Sequence, residues 1–132
     1  MTPKPSSPAP DSVAGPIYHL ALVPEWERAG ATGSYDRSTV DRSLVEEGFI
    51  HCSFPAQVQA TADRYYRGRD DVVLLRIDPA RLDVEVRVEL APGSGEAYPH
   101  LYGPLPTDAV VEAIPVPVGA DGRLDLRGLV DG

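Results

Sequence analysis

The run Val72-Val73-Leu74-Leu75-Arg76-Ile77, closed by the Asp78-Pro79 turn, limits what this chain can fold into more than any other stretch. A nearly unbroken apolar hexamer has no wet side, so it reads as a strand covered on both faces and central in a sheet. Val84, Val86, Val88 and Leu90 instead alternate with Glu85, Arg87 and Glu89, the pattern of a strand with one solvated side, nearer a sheet edge. In a third strand, Ile17-Tyr18-His19-Leu20-Ala21-Leu22, Ile17, His19 and Ala21 share one face and Tyr18, Leu20 and Leu22 the other. A fourth, Glu47-Gly48-Phe49-Ile50-His51-Cys52-Ser53-Phe54, puts Phe49, His51 and Ser53 on one side and Ile50, Cys52 and Phe54 on the other. The polar pair on that strand needs partners, because an unpaired buried hydroxyl or imidazole costs roughly 1–3 kcal/mol.

Helix signals fall between these strands. Pro24 suits a first turn, Glu25 and Glu27 complement its positive end, Trp26 is a core anchor, and Gly30 is the expected stop. Residues 31–38 read as a loop, followed by Val40, Leu44 and Val45 at the spacing of one helix face closed by Gly48. Pro55 opens the clearest helix, with Val58, Ala62, Tyr65 and Tyr66 along one side. Ser53 either caps that helix or faces an anion at its first amides. Further on come a flexible loop at 92–95, a turn-interrupted aromatic segment at 96–106, an apolar run at 108–118 and a hairpin around Asp121-Gly122. About six strands with three helices gathered early favour an α+β fold over an alternating doubly wound one. The expected plan is a disordered Pro/Ser-rich tail at 1–16, one domain at 17–118 and a C-terminal hairpin extension at 119–132.

Twenty acidic against twelve basic residues, a formal net charge of −8, argue against a nucleic-acid partner, whose affinity rests on cationic side chains. An anionic small molecule stays open if arginines gather locally, and Arg37, Arg42, Arg64, Arg67 and Arg69 are candidates. Cys52 is the only cysteine, so no internal disulfide forms; this fits a reducing, cytoplasmic setting, with Cys52 as a small buried hydrophobe. No window approaches the roughly 18 apolar residues of a membrane span.

All three histidines, His19, His51 and His100, sit inside apolar or aromatic segments. Converging on one cleft, they would support three chemistries. A three-histidine metal site is the least favoured, for want of any close histidine pair. Acid–base work by two histidines on a phosphodiester matches His51-Cys52-Ser53, but His19-Leu20-Ala21 lacks the hydroxyl. Recognition of a nucleotide ribose, with an aromatic ring packed on a base or nicotinamide, is the third. A non-catalytic His/Tyr network that fixes the fold is the alternative from another class.

Ile17-Tyr18-His19-Leu20, Glu47 through Ser53, Val73 through Asp78 and Pro99-His100-Leu101-Tyr102-Gly103-Pro104-Leu105, in that order, resemble the bacterial family called domain of unknown function 952. That family is similar in fold to the ADP-ribosyltransferases, so the resemblance implies a split mixed β-sheet whose cleft holds NAD as substrate. It implies that Tyr18 and His19 contact a ribose, that His51 and Ser53 lie beside the nicotinamide, and that a late acidic residue steadies the oxocarbenium-like ribose. In this chain the late segment offers His100 and Tyr102, with Glu96 the nearest acid. The expectation is therefore an NAD-utilising transferase or glycohydrolase with His51, His100 and Tyr102 catalytic and His19, Tyr18, Ser53 and Arg64 binding the nucleotide, without a metal.

Overall fold

A computed structural model describes residues 15–39, 42–90 and 95–130. Residues 1–14 of the expected tail at 1–16, Val40 and most of the loop at 92–95 lie outside them. In chain order the elements are β1 (Ile17–Leu22), α1 (Val23–Thr32), β2 (Ser34–Tyr35), β3 (Arg37–Thr39), β4 (Arg42–Ser43), α2 (Leu44–Glu47), β5 (Ile50–His51), α3 (Val58–Tyr65), β6 (Val72–Ile77), β7 (Glu85–Leu90), β8 (Ala97–Tyr102), β9 (Leu105–Pro106) and β10 (Val110–Pro115). The class is α+β, built on two antiparallel three-stranded sheets ordered β1-β6-β10 and β5-β8-β7, with small β2-β9 and β3-β4 pairs.

The apolar hexamer β6 is central, flanked by β1 and β10, and all its residues except Arg76 are buried. Alternation along β1 and β6 divides the interior in two. Ile17, Ala21, Val73, Leu75 and Ile77 enter one cluster with Ile50, Cys52, Leu101 and Ala29, against which Trp26 packs. Tyr18, Leu20, Val72 and Leu74 enter the other, with Val58 and Ala62 of α3 and with Leu124 and Leu126. Each fully buried Leu or Ile contributes roughly 1.5–3 kcal/mol, so both faces of this sheet are strongly held. Strand β7 lies at the edge of its sheet, as its alternation requires, with Glu85 and Arg87 exposed.

The two sheets meet where Tyr18 and Ser53 exchange backbone hydrogen bonds of 2.9 and 2.8 Å. Only Ile50–His51 of the expected strand at 47–54 is regular, and Cys52 N–H continues the pairing by donating to Pro99 O at 2.9 Å.

Several local expectations are corrected. Helix α1 passes through Gly30 and stops at Gly33, whose φ of +86° is the left-handed conformation that ends a helix. Ser34–Tyr35 and Arg37–Thr39 are strands rather than loop, because β2 pairs with β9 and β3 with β4. Helix α2 is one turn, started by a capping box between Ser43 and Glu46; Leu44 packs partly against the first cluster, but Val45 is 90% exposed, so the expected shared face of Leu44 and Val45 is not buried. Pro55 opens a 3₁₀ turn, Pro55–Gln57, and α3 begins only at Val58. The terminal hairpin reduces to a single bridge, Val118 to Leu124, and the segment's Leu124 and Leu126 complete the second cluster.

Candidate functional site

The sheet β5-β8-β7 has two unlike faces. Ile50, Leu101 and Val86 point to the first core cluster. Strand alternation and register then gather Phe49, His51, Tyr98, His100, Tyr102, Glu85, Arg87 and Glu89 on the opposite face. His51 is directly across from His100, and His100 across from Arg87.

On that face the imidazoles of His51 and His100 have centroids 5.5 Å apart. Phe49 stacks on His100 at 3.9 Å, and Tyr98 lies 4.9 Å from His51. Glu89 is the acidic centre of the group: its Oε1 accepts from His100 Nδ1 at 2.8 Å and from the Tyr102 hydroxyl at 2.5 Å. These two bonds hold the Glu89 carboxyl below its usual range, and the second pushes the Tyr102 phenol up. The Arg87 guanidinium stands 4.5 Å over the Tyr102 ring. Nε2 of His51 and Nε2 of His100 are both buried without a hydrogen-bond partner among the described residues. Such orphans are rare in folded proteins and mark a place where a ligand or water supplies the missing bond.

Beside His51 a cleft of about 210 Å³ opens between the sheet and α3, lined by His51, Ala60, Thr61, Arg64, Tyr65, Glu96 and Tyr98. Arg64 supplies its cation. The guanidinium lies 5.5 Å from the Tyr65 ring and makes no ion pair with a described carboxylate. Burial, then the charges of His100, His19 and Arg64, pull the His51 imidazole down to about 3, so it is neutral at pH 7.

Of the residues expected at the site, the fold brings His51, His100, Tyr102 and Arg64 to one region. His19 stands behind it. Its Nδ1 donates to the His51 carbonyl at 2.7 Å and its Nε2 accepts from the Tyr35 hydroxyl at 2.9 Å, leaving no free nitrogen. With 2% exposure it is sealed in the interior, and burial pulls it down to about 4. Three imidazoles therefore do not meet around one hollow: His51 alone lines the cleft, while His100, 3% exposed and covered by Phe49, lies beside His51 but does not line it. Tyr18 is fully buried in the second cluster. Ser53 neither caps α3 nor lines the cleft, because its hydroxyl bonds Thr61 at 2.9 Å, and Gln57 Oε1 instead takes the Phe54 amide at 3.0 Å. Cys52 is buried and burial pushes its thiol up, consistent with a small hydrophobe. Of the other arginines, Arg37 pairs with Glu25 at 3.1 Å and Arg69 with Asp71 at 2.8 Å, away from the cleft.

Sequence reasoning missed Glu89, Tyr98 and Tyr65. Glu89 looked like one more wet-face residue of an alternating strand; the signal was that this face lies beside the histidine strand once β7 pairs with β8. Glu96, the expected nearest acid, lines the cleft and takes a 3.2 Å hydrogen bond from Gln57.

A family model described as Protein of unknown function (DUF952) matches residues 20–113. The chain belongs to the DUF952 family. Among solved structures, the crystal structure of protein CC0527 from Caulobacter crescentus is similar, at 32% identity over 84% of this chain and 94% of that one, with a TM-score of 0.75. The solution structure of CC0527 is 34% identical over 84% and 92% of the two chains, with a TM-score of 0.69. A search of curated proteins finds no match. The matched DUF952 segment contains every residue of the aromatic and histidine face described above. Among the described residues no helix is long and apolar enough to cross a membrane, and no group of three or more His, Cys, Asp or Glu is arranged to hold a metal.

Proposed function

We propose that the cleft binds NAD or a related nucleotide by one ring, in the manner of an ADP-ribosyltransferase-like domain, with cleavage of the nicotinamide–ribose bond as its candidate reaction. The observation that carries this reading is the buried, unpartnered Nε2 of His51 in a cleft lined by the Tyr65 and Tyr98 rings, Arg64 and the Glu96 carboxylate. The neutral His51 imidazole supplies a bond to a sugar hydroxyl or a carboxamide, and Tyr98 and Tyr65 supply ring faces. The cavity is below the roughly 300–1,000 Å³ of a site enclosing a whole drug-sized ligand, so it takes a ring and leaves the phosphates outside, near Arg64. Glu96, which lines the cleft, is the acidic group available to stabilise positive charge on the ribose. A cytoplasmic location belongs to the same proposal.

Calorimetric titration with NAD and ADP-ribose tests it. Saturable heats that vanish in His51→Ala support the site; equal heats in both proteins remove His51 from it. Release of nicotinamide on prolonged incubation separates an enzyme from a binding module.

His19 follows the alternative, structural reading, since both its nitrogens are engaged. The two-histidine phosphoesterase reading is weakened by His51: with a pKa of about 3, only on the order of one molecule in 10⁴ is protonated at pH 7 and able to act as general acid.

A further inference from the structure

Strands β10 and β7 each end a sheet with one strand neighbour among the described residues. Such an edge presents a row of backbone N–H and C=O groups to any other chain, and most folds blunt it. β10 is blunted: a bulge between Val110 and Glu112 breaks its register with β6, and it ends on Pro115, which has no N–H to offer. β7 is not. Its six residues pair with β8 one for one, from Glu85 opposite Tyr102 to Leu90 opposite Ala97, with neither bulge nor proline. Leu90 is 70% exposed at its end, and Val86 and Val88 on the same face are only half-buried.

The order Val86-Arg87-Val88-Glu89-Leu90 is self-complementary when the strand is laid antiparallel on a copy of itself. With Val88 opposite Val88 on a twofold axis, each Arg87 faces the partner's Glu89 and each Val86 faces the partner's Leu90, so charges meet opposite in sign and the apolar residues share one side. Other registers fail. Centring on Arg87 sets Arg87 against Arg87 and Glu85 against Glu89, and centring on Glu89 sets that carboxylate against itself. Centring on Val86 sets Asp83 against Glu89, cancelling its Glu85–Arg87 pairs, and a shift by a single residue puts valine opposite charge. The side chains of Arg87 and Glu89 are 47% and 36% exposed, and opposed Cβ atoms on paired strands lie about 4.5–5.5 Å apart, so the two groups reach each other. We propose that β7 is a homodimer interface, at which a second copy of this chain adds its own β7 antiparallel through Val88 and joins the two β5-β8-β7 sheets into one. Arg87, which pairs with Glu85 at 3.0 Å, then lies between Glu85 and the partner's Glu89. The interface is independent of what the His51 cleft binds.

Analytical ultracentrifugation of the full chain across a concentration series tests it. The parent is expected to approach twice the mass of one chain, and Leu90→Lys and Arg87→Glu, both at exposed positions, to associate at least about tenfold more weakly. Arg87→Glu and Glu89→Arg each set like charges across the axis, yet a mixture of the two restores opposite signs at both pairs and is expected to dimerise more tightly than either alone. Amide hydrogen exchange along β7 is expected to slow as the concentration rises, with β10 unchanged. A parent that stays monomeric, a dimer that Arg87→Glu and Leu90→Lys leave intact, or exchange that slows at β10 instead overturns the proposal. A mixture of folded variants no tighter than its components overturns it as well. Should Glu89→Arg fail to fold, having lost its bonds to His100 and Tyr102, the exchange pattern with Arg87→Glu and Leu90→Lys decides.

Discussion

The two three-stranded sheets use histidine in opposite ways. In β1-β6-β10, His19 is wedged in the interior with a carbonyl on one nitrogen and a phenol on the other. In β5-β8-β7, His51 and His100 each keep a buried nitrogen with no described partner. The first sheet is apolar on both faces and spends its one imidazole on tying β1 to the β5 segment and to Tyr35. The second is apolar on one face only, and the other collects rings, carboxylates and arginines. The difference teaches that a buried histidine becomes a candidate for function through the bonds it lacks, not through its burial.

Acid tests the comparison hardest. His19 and His51 have folded pKa values of about 4 and about 3, below the 6.5 of an exposed imidazole, so between these values the unfolded chain binds more protons than the native one. Stability is therefore full above pH 6.5 and falls as the pH drops toward 4, each histidine contributing up to about 1.4 kcal/mol per pH unit. Urea midpoints at pH 7, 5.5 and 4.5 should fall steadily, and a flat profile would show that neither ring is held neutral.

His19→Leu should destabilise by about 3 kcal/mol, since it strands the His51 carbonyl and the Tyr35 hydroxyl. It should also make the acid slope shallower while leaving the His100 resonances in place; a disturbed His100 would mean the two sheets are not separable. Gly103→Ala comes next. An added Cβ would meet Val84 Cγ1 at 2.6 Å, in the turn that lets β8 run beside the start of β7, and a loss of about 2 kcal/mol is expected from thermal unfolding. His51→Ala should change stability by under about 1 kcal/mol, as it gives up no described side-chain hydrogen bond, while abolishing nucleotide heats. Tyr102→Phe is the smallest effect, at most about 1 kcal/mol, because Glu89 keeps His100 and is 36% exposed to water.

Much of the fold was legible in local pattern. The apolar run at 72–77 required a central strand, and the alternation at 84–90 required an edge. The opposed faces of Ile17–Leu22 and of the His51 strand came directly from period two, because a side chain's direction along a strand depends only on its own backbone. Helix ends were less legible: Gly30 and Gly33 offer the same stop, and only the tertiary path decides which one takes the left-handed conformation.

What the sequence alone determined is which residues share a face and that three histidines sit among apolar neighbours. Which faces confront each other was settled by pairing across long separations, β1 with the β5 segment and β5 with β8, and by the register of the β7–β8 hairpin. That pairing seals His19 against Tyr35, turns Ser53 toward Thr61 and brings Glu89, expected to be bathed in water, onto His100. A hydrogen bond between residues far apart in the chain exists only once the loop between them has closed, so neither the satisfied imidazole nor the two unsatisfied ones could be told apart before the sheets were assembled.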